Sequence, residues 1–270
     1  MKKIAFCFLI YDYIECEELW NIFFSGVDKE RYNIYVHYKI NKPLMFFEEY
    51  KINNCIATKY ADISLVKAQN ILLENALCDE DTKHFVFLSG TCVPFKNFDY
   101  VYENLNENYS YFNITDQKQC FPRCNKTIES IDKQIINKSS QWCILNKKHA
   151  NIMVNEKDYL NWFDYSDTVP DEHCYITKLF YNKLQDELKT TNNIATGATT
   201  FVNWQGMDYK YPSTRGLKNY ICISKDEIVH ILDSKSLFGR KFRRNCLQYF
   251  LCNEYIDSIK SVKFDKIDSV

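Results

Sequence analysis

Hydrophobic positions in the first half of the chain follow two spacings in turn, which predicts alternating strands and helices. Lys3–Ile10 is a continuous apolar run of strand length, and a second run, Tyr32–His37, follows a helical stretch at Glu17–Phe24. In Asp62–Cys78 the apolar residues recur every three or four positions, the spacing of an amphipathic helix, and the β-rich run His84–Leu88 comes next. This alternation predicts an α/β fold, with a mostly parallel central sheet flanked by helices.

Signals in the rest of the chain are weaker but still place most elements. Asn97 is predicted to cap a helix to Leu105, and the polar stretch Thr115–Lys138 is predicted to be a long loop. The later predicted elements are a strand at Ser140–Leu145, a helix at Lys147–Val154, a helix from Pro170 to Leu184, a strand at Thr199–Trp204 and a helix opened by a capping box at Ser224 and ending at Leu232. No repeat or linker interrupts the pattern, so we expect one domain over residues 1–270.

Composition and charge narrow the class of protein. Hydrophobic residues make up 46 % and charged residues 26 %, as in an ordinary folded protein. The net charge of −1 gives no overall field to attract a polyanion, so nucleic acid is not an expected partner. Oligomeric state is not predictable from these features.

The N-terminus and the cysteines bear on location. The apolar run after Met1 is short, soon meets Asp12 and lacks a cleavage site, and no stretch reaches the roughly 20 apolar residues that a membrane span needs. We therefore expect a soluble, cytoplasmic protein, whose A/T-biased composition fits a large DNA virus (host cytoplasm or virion) or a protist. The 12 cysteines are then expected to be reduced, and Cys120 and Cys124 have no second pair with which to form a zinc site.

Six short blocks, in order over about two thirds of the chain, carry a resemblance to a known family. They are Ile63–Ala68, Phe87–Pro94, Ser139–Trp142 with Asn146–Ala150, Pro170–His173, Phe201–Trp204 and Leu237–Phe242. Together they resemble the core-2/I-branching β-1,6-N-acetylglucosaminyltransferase family, especially its plant relatives.

The resemblance implies a GT-A-like glycosyltransferase fold and an inverting transfer of GlcNAc or a related sugar from a UDP-sugar to a glycan or glycoprotein hydroxyl. It implies no metal and no cofactor beyond the donor substrate. Glu172 falls on the family's catalytic base, Lys241 on a residue that contacts the donor diphosphate, and Trp204 on an aromatic residue of the acceptor site. The second diphosphate contact is either Arg215 or Lys218, because the spacing matches neither cleanly.

Further site residues are expected on the same basis. Arg240 joins Lys241 as a donor contact, although Arg240–Arg244 is also consistent with a basic run on the surface. Ser89 and Gly90 end a strand where a nucleotide can approach closely, but they could equally form a plain strand-to-loop turn. His37 also ends a strand, at a position where family members often have an acidic donor contact. Arg123 is expected on the acceptor side.

The local chemistry leaves alternatives open. A carboxylate such as Glu172 suits a general base, but acidic residues are also common at helix starts. Asp79-Glu80-Asp81 matches a metal-binding pattern, yet it precedes a strand, at the wrong end for a ligand site, which indicates a solvated turn. Two rival functions therefore remain: a catalytically silent binding protein of the same fold, and a metal-dependent transferase that uses Asp79.

Overall fold

The computed structural model describes residues 2–120, 123–165, 168–191, 199–203 and 217–261. Within these residues a six-stranded sheet has the order β2-β1-β3-β6-β5-β7, and a three-stranded sheet has the order β4-β9-β8. The strands are β1 (Lys3–Ile10), β2 (Tyr32–Tyr38), β3 (Thr82–Ser89), β4 (Val93–Pro94), β5 (Ser110–Asn113), β6 (Ile144–Asn146), β7 (Leu188–Thr191), β8 (Thr200–Val202) and β9 (Phe238–Arg240). In the larger sheet only β6 runs antiparallel to the other strands, so the predicted mostly parallel sheet is confirmed.

Helices lie on both faces of the larger sheet and around the smaller one. They are α1 (Glu17–Phe24), α2 (Ile63–Leu77), α3 (Phe98–Asn104), α4 (Asn125–Ser130), α5 (Lys147–Asn155), α6 (Tyr159–Trp162), α7 (Cys174–Tyr181), α8 (Lys225–Asp233), α9 (Leu247–Phe250) and α10 (Asn253–Ile259). The predicted caps are present, since the side chain of Asn97 accepts from the backbone N–H of Tyr100 and Ser224 forms a capping box with Glu227. No helix among the described residues is long and apolar enough to cross a membrane.

β1 is buried on both faces, which explains its uninterrupted apolar sequence. Ala5, Cys7 and Leu9 join a core with α2, α5 and α7, while the intervening residues, such as Phe6 and Phe8, join a core with α1 and α3. A third core lies beneath the smaller sheet and packs against the last three helices. The two sheets are joined where the backbone N–H of Phe242 donates to the carbonyl of Thr91 at 3.0 Å.

Several predicted elements differ from the structure. The loop predicted at Thr115–Lys138 contains α4 and a short 3₁₀ turn, and the strand predicted at Ser140–Leu145 is confined to β6. The helix predicted from Pro170 is divided into a 3₁₀ turn, Pro170–Glu172, and α7. The short strands β5, β7 and β9 were not predicted, because each is too brief to show a period.

The carboxyl ends of the parallel strands meet at one edge of the sheet. Leu9 pairs with His37 on one side and with Ser89 on the other, so these residues form a row across three strands. β5 is parallel to β3 and ends at the same edge with Asn113. β6 runs antiparallel to both, so it begins near this edge. This is the edge where ligands bind in open α/β sheets.

Candidate active site

Ser89 and Gly90 form the turn at the end of β3. The Ser89 Oγ lies 3.0 Å from the Thr91 Oγ1 and 3.2 Å from the Cys92 Sγ. A Cβ added at Gly90 would lie 2.2 Å from the carbonyl oxygen of Tyr13, so only glycine allows the loop after β1 to pack here. The turn therefore joins two of the loops at the site edge, and its contact with a nucleotide stays a prediction.

His37 is fully buried at the end of β2. Its Nε2 accepts a hydrogen bond from the backbone N–H of Ile56 at 3.0 Å, and burial lowers the pKa of the ring to about 4, so it is neutral at physiological pH. The structure thus gives His37 a role in holding the segment before α2. No part of the ring reaches the surface in the structure, and its contact with the donor stays a prediction.

The 3₁₀ turn Pro170–Glu172 presents the predicted base. Val169 precedes it with φ of 52°, a left-handed conformation that is strained for a β-branched residue. The carbonyl of Glu172 accepts from the backbone N–H of Ser139 at 2.8 Å, which fixes the turn at the site edge. The Oε2 of Glu172 lies 3.0 Å from the Nζ of Lys138, and 26 % of the Glu172 side chain is exposed. Glu172 is therefore held by the backbone and by an ion pair while remaining open to a ligand.

Asp171 is a second carboxyl group beside Glu172. Its Oδ1 is enclosed and makes no hydrogen bond. Burial and the nearby charge of Glu172 raise the pKa of Asp171 to about 7, against the opposing effects of Arg240 and Lys138. The structure therefore makes Asp171 a carboxyl group whose pKa lies close to neutral pH.

Arg240 brings positive charge to the same place, and Lys241 lies next to it in the chain. The Arg240 guanidinium lies 4.8 Å from the centre of the buried Trp142 ring, and its Nε is enclosed without a partner. Burial lowers the pKa of both side chains, and Arg240 lowers that of Lys241 further. Neither side chain makes an ion pair or hydrogen bond with a residue that the structure describes. Asp171 and Glu172 act on Arg240 only at longer range.

The rest of the basic run is engaged elsewhere. Arg243 pairs with Glu15 at 2.9 Å, and the Arg244 guanidinium makes two hydrogen bonds to the carboxylate of Glu18. The run therefore divides into Arg240 and Lys241, which have no ion-pair partner among the described residues, and two paired arginines on the surface.

The remaining predicted residues have different positions. Trp204 and Arg215 lie outside the described residues. Lys218 pairs with Glu227 at 2.7 Å, so its ammonium group already has a carboxylate partner. Arg123 is exposed just before α4, where its carbonyl accepts from the hydroxyl of Tyr165 at 3.3 Å.

The acidic residues considered as metal ligands lie at the opposite edge of the sheet. Asp79 lies before β3, 2.9 Å from the Nζ of Lys3, and also accepts from Asn33. The predicted solvated turn is therefore at the amino end of the strand, away from Ser89. In the described part of the chain, no three His, Cys, Asp or Glu side chains come together as ligands for a metal ion.

Sequence reasoning missed Lys138 as a site residue. It lies directly before the block Ser139–Trp142 that carried part of the resemblance, but a single lysine at the end of a polar stretch gives no signal of its own. Only its distance to Glu172 reveals it.

Comparisons with known proteins identify relatives of the chain. The family model described as "Branch: Core-2/I-Branching enzyme" matches residues 4–233. The chain is 28 % identical over 221 residues to glycosyltransferase BC10 of Oryza sativa subsp. japonica, a match that covers 69 % of this chain and 55 % of that protein. The chain thus spans about half the length of the curated relative it matches.

Two solved structures overlap most of the chain at low sequence identity. A glycosyltransferase involved in the glycosylation of the major capsid of PBCV-1 is 12 % identical with a TM-score of 0.45, covering 88 % of this chain and 92 % of that one. The galactosyltransferase LgtC, solved with donor and acceptor sugar analogues, is 8 % identical with a TM-score of 0.47, covering 95 % and 97 %.

Proposed function

Since the chain belongs to the core-2/I-branching enzyme family, a family of glycosyltransferases, we propose that it is an inverting, metal-independent glycosyltransferase. It moves GlcNAc or a related sugar from a UDP-sugar to a hydroxyl group of a glycan acceptor. Glu172 is the catalytic base, Arg240 and Lys241 bind the donor diphosphate, and Arg123 and Trp204 line the acceptor side.

The observation that carries this proposal is the pair of unpaired cations at the carboxyl edge of the sheet. A charged group withdrawn from water is costly unless an opposite charge or hydrogen bonds compensate it. Arg240 is largely and Lys241 partly removed from water, and neither has a counter-ion among the described residues, whereas Arg243 and Arg244 are both paired. A diphosphate would supply the missing negative charge and accept their hydrogen bonds.

The reaction follows from the opposed charges of the site. Glu172 takes the proton of the acceptor hydroxyl as that oxygen attacks the anomeric carbon of the donor sugar. The bond from the anomeric carbon to the phosphate oxygen breaks, and its electron pair leaves with the nucleoside diphosphate. Charge grows on the diphosphate in the transition state, next to Arg240 and Lys241, which stabilise it. A single displacement of this kind inverts the configuration at the anomeric carbon.

Metal independence rests on the same two cations. Many transferases neutralise the leaving diphosphate with a divalent ion, and here the side chains of Arg240 and Lys241 can provide that charge. The candidate metal ligand Asp79 lies at the opposite edge of the sheet and is bound to Lys3 and Asn33.

The test compares two basic residues that are three positions apart. Lys241→Ala should lower turnover about 100-fold, or about 3 kcal/mol of transition-state stabilisation, and weaken UDP binding. Arg244→Ala, the matched control, removes only an exposed ion pair and should change neither value appreciably. Calorimetry with UDP and turnover with a panel of UDP-sugars measure both effects. Equal, small effects in the two variants would show that the diphosphate binds elsewhere.

A further inference from the structure

Lys138 makes a direct contact with the proposed base. Its Nζ lies 3.0 Å from the Oε2 of Glu172, and 21 % of the Lys138 side chain is exposed. The other carboxylate oxygen, Oε1, makes no hydrogen bond to any residue in the described ranges. The two oxygens of the base are therefore in different states: one is held and the other is open.

The backbone on both sides of Lys138 is fixed to the segment that carries Glu172. The N–H of Ser139 donates to the carbonyl of Glu172 at 2.8 Å. On the other side, the carbonyl of Asn137 accepts from the Nδ1 of His173 at 2.9 Å. Burial lowers the pKa of the His173 ring to about 4, so this contact persists with a neutral ring across the physiological range.

Further bonds hold the carbonyl of Lys138 itself. It accepts from the backbone N–H of Thr115 at 2.9 Å and from the Thr115 Oγ1 at 3.1 Å. The N–H of Asn137 donates to the Oγ1 of Thr177 on α7 at 3.1 Å. A surface lysine normally loses much side-chain entropy when it forms an ion pair, which weakens such pairs. Here the backbone is already ordered beside Glu172, so the pair costs side-chain entropy only.

From this geometry we propose that Lys138 is a positioning residue for Glu172, one that binds Oε2 and leaves Oε1 to receive the proton of the acceptor hydroxyl. The inference rests on the proposed function, since it assigns a partner to the base. Proton transfer requires the accepting oxygen to lie within hydrogen-bond reach of the hydroxyl, and displacement by about 1 Å is enough to cost a large factor in rate.

Other charged and titratable groups surround Glu172, and they explain why a fixed partner matters. Asp171 precedes it on the same turn, His173 follows it, and Arg240 of β9 attracts its carboxylate from across the site. Lys138 contacts the Glu172 carboxylate directly, whereas Arg240 acts on it only at longer range.

Lys138→Met tests the role, because methionine retains the length of the side chain but cannot donate to Oε2. We expect kcat to fall about 10- to 100-fold while the KM for the donor and the affinity for UDP stay unchanged. Lys138→Arg should recover much of the rate, since arginine can donate to the same oxygen. In a Glu172→Gln background, Lys138→Met should cause no further loss, because it acts through that carboxylate.

Lys157→Met is the matched control, since it removes another short ion pair, 2.6 Å from Glu74, far from the site edge. It should leave kcat unchanged. A normal kcat for Lys138→Met, in a protein that Glu172→Gln inactivates, would overturn the role of Lys138 and leave the proposed function standing. An additional loss in the double variant would also overturn it. A wild-type protein that neither binds UDP nor turns over any UDP-sugar would overturn the proposed function, and this inference with it.

Discussion

Replacing Asp171 by asparagine should stabilise the protein, and the gain should grow as the pH rises. The Oδ1 of Asp171 is enclosed without a partner, and burial with the charge of Glu172 raises the pKa of this carboxyl from 3.8 to about 7. Between these two values the unfolded chain has released its proton while the folded protein still holds it. The contribution of Asp171 to stability is therefore fully present below about pH 4 and is lost as the pH rises through 7.

The magnitude follows from the size of the shift. One pKa unit corresponds to about 1.36 kcal/mol, so a shift from 3.8 to about 7 costs roughly 4 kcal/mol once the carboxyl is ionised. Part of that cost is already present at pH 5. The two units between pH 5 and pH 7 correspond to about 2.7 kcal/mol, which is the expected growth in the advantage of Asp171→Asn between pH 5 and pH 8. Any water that reaches the carboxyl would lower this figure.

Urea unfolding of the wild type and of Asp171→Asn at pH 5 and pH 8 measures the effect. The difference in unfolding free energy between the two proteins is compared at the two pH values, which cancels the contributions of the other titrating groups. Asp257→Asn, a change of an exposed carboxylate on α10, is the control and should show no such growth. If the advantage of Asp171→Asn is the same at both pH values, the carboxyl is solvated and the site is not the enclosed environment described above.

Two further predictions concern catalysis. Glu172→Gln should keep the fold and the UDP affinity but lower sugar transfer by about 10²- to 10⁴-fold, and transfer at the normal rate would show that another group is the base. Turnover should persist in excess chelator and gain little from added Mn²⁺, because Arg240 and Lys241 supply the positive charge. Complete loss of turnover that added metal restores would mean that a metal ion held by acidic residues such as Asp79 neutralises the diphosphate.

Much of the α/β architecture was predictable from the sequence because its signals are local. The apolar run of Lys3–Ile10 and the periodic stretch that forms α2 can each be recognised from neighbouring residues alone, as can the caps at Asn97 and Ser224. The strand order of the larger sheet confirms the predicted α/β fold with a mostly parallel sheet. The short strands β5, β7 and β9 were missed because they form only through pairing with distant segments.

The site divides in the same way. Glu172, Arg240 and Lys241 came from short motifs, and in the structure Arg240 lies close enough to Glu172 for their charges to interact. The run Arg240–Arg244 is one basic cluster in the sequence, but Glu15 and Glu18 neutralise its second half, whereas the first half has no ion-pair partner in the part of the chain that the structure describes. Distances and burial between residues far apart in the chain decide which cations are paired. They also decide the pairing of Lys138 with Glu172 and the retention of the proton on Asp171. Charge interactions and desolvation act through space, so the sequence alone determined which groups are present, and the tertiary structure decided which of them are compensated.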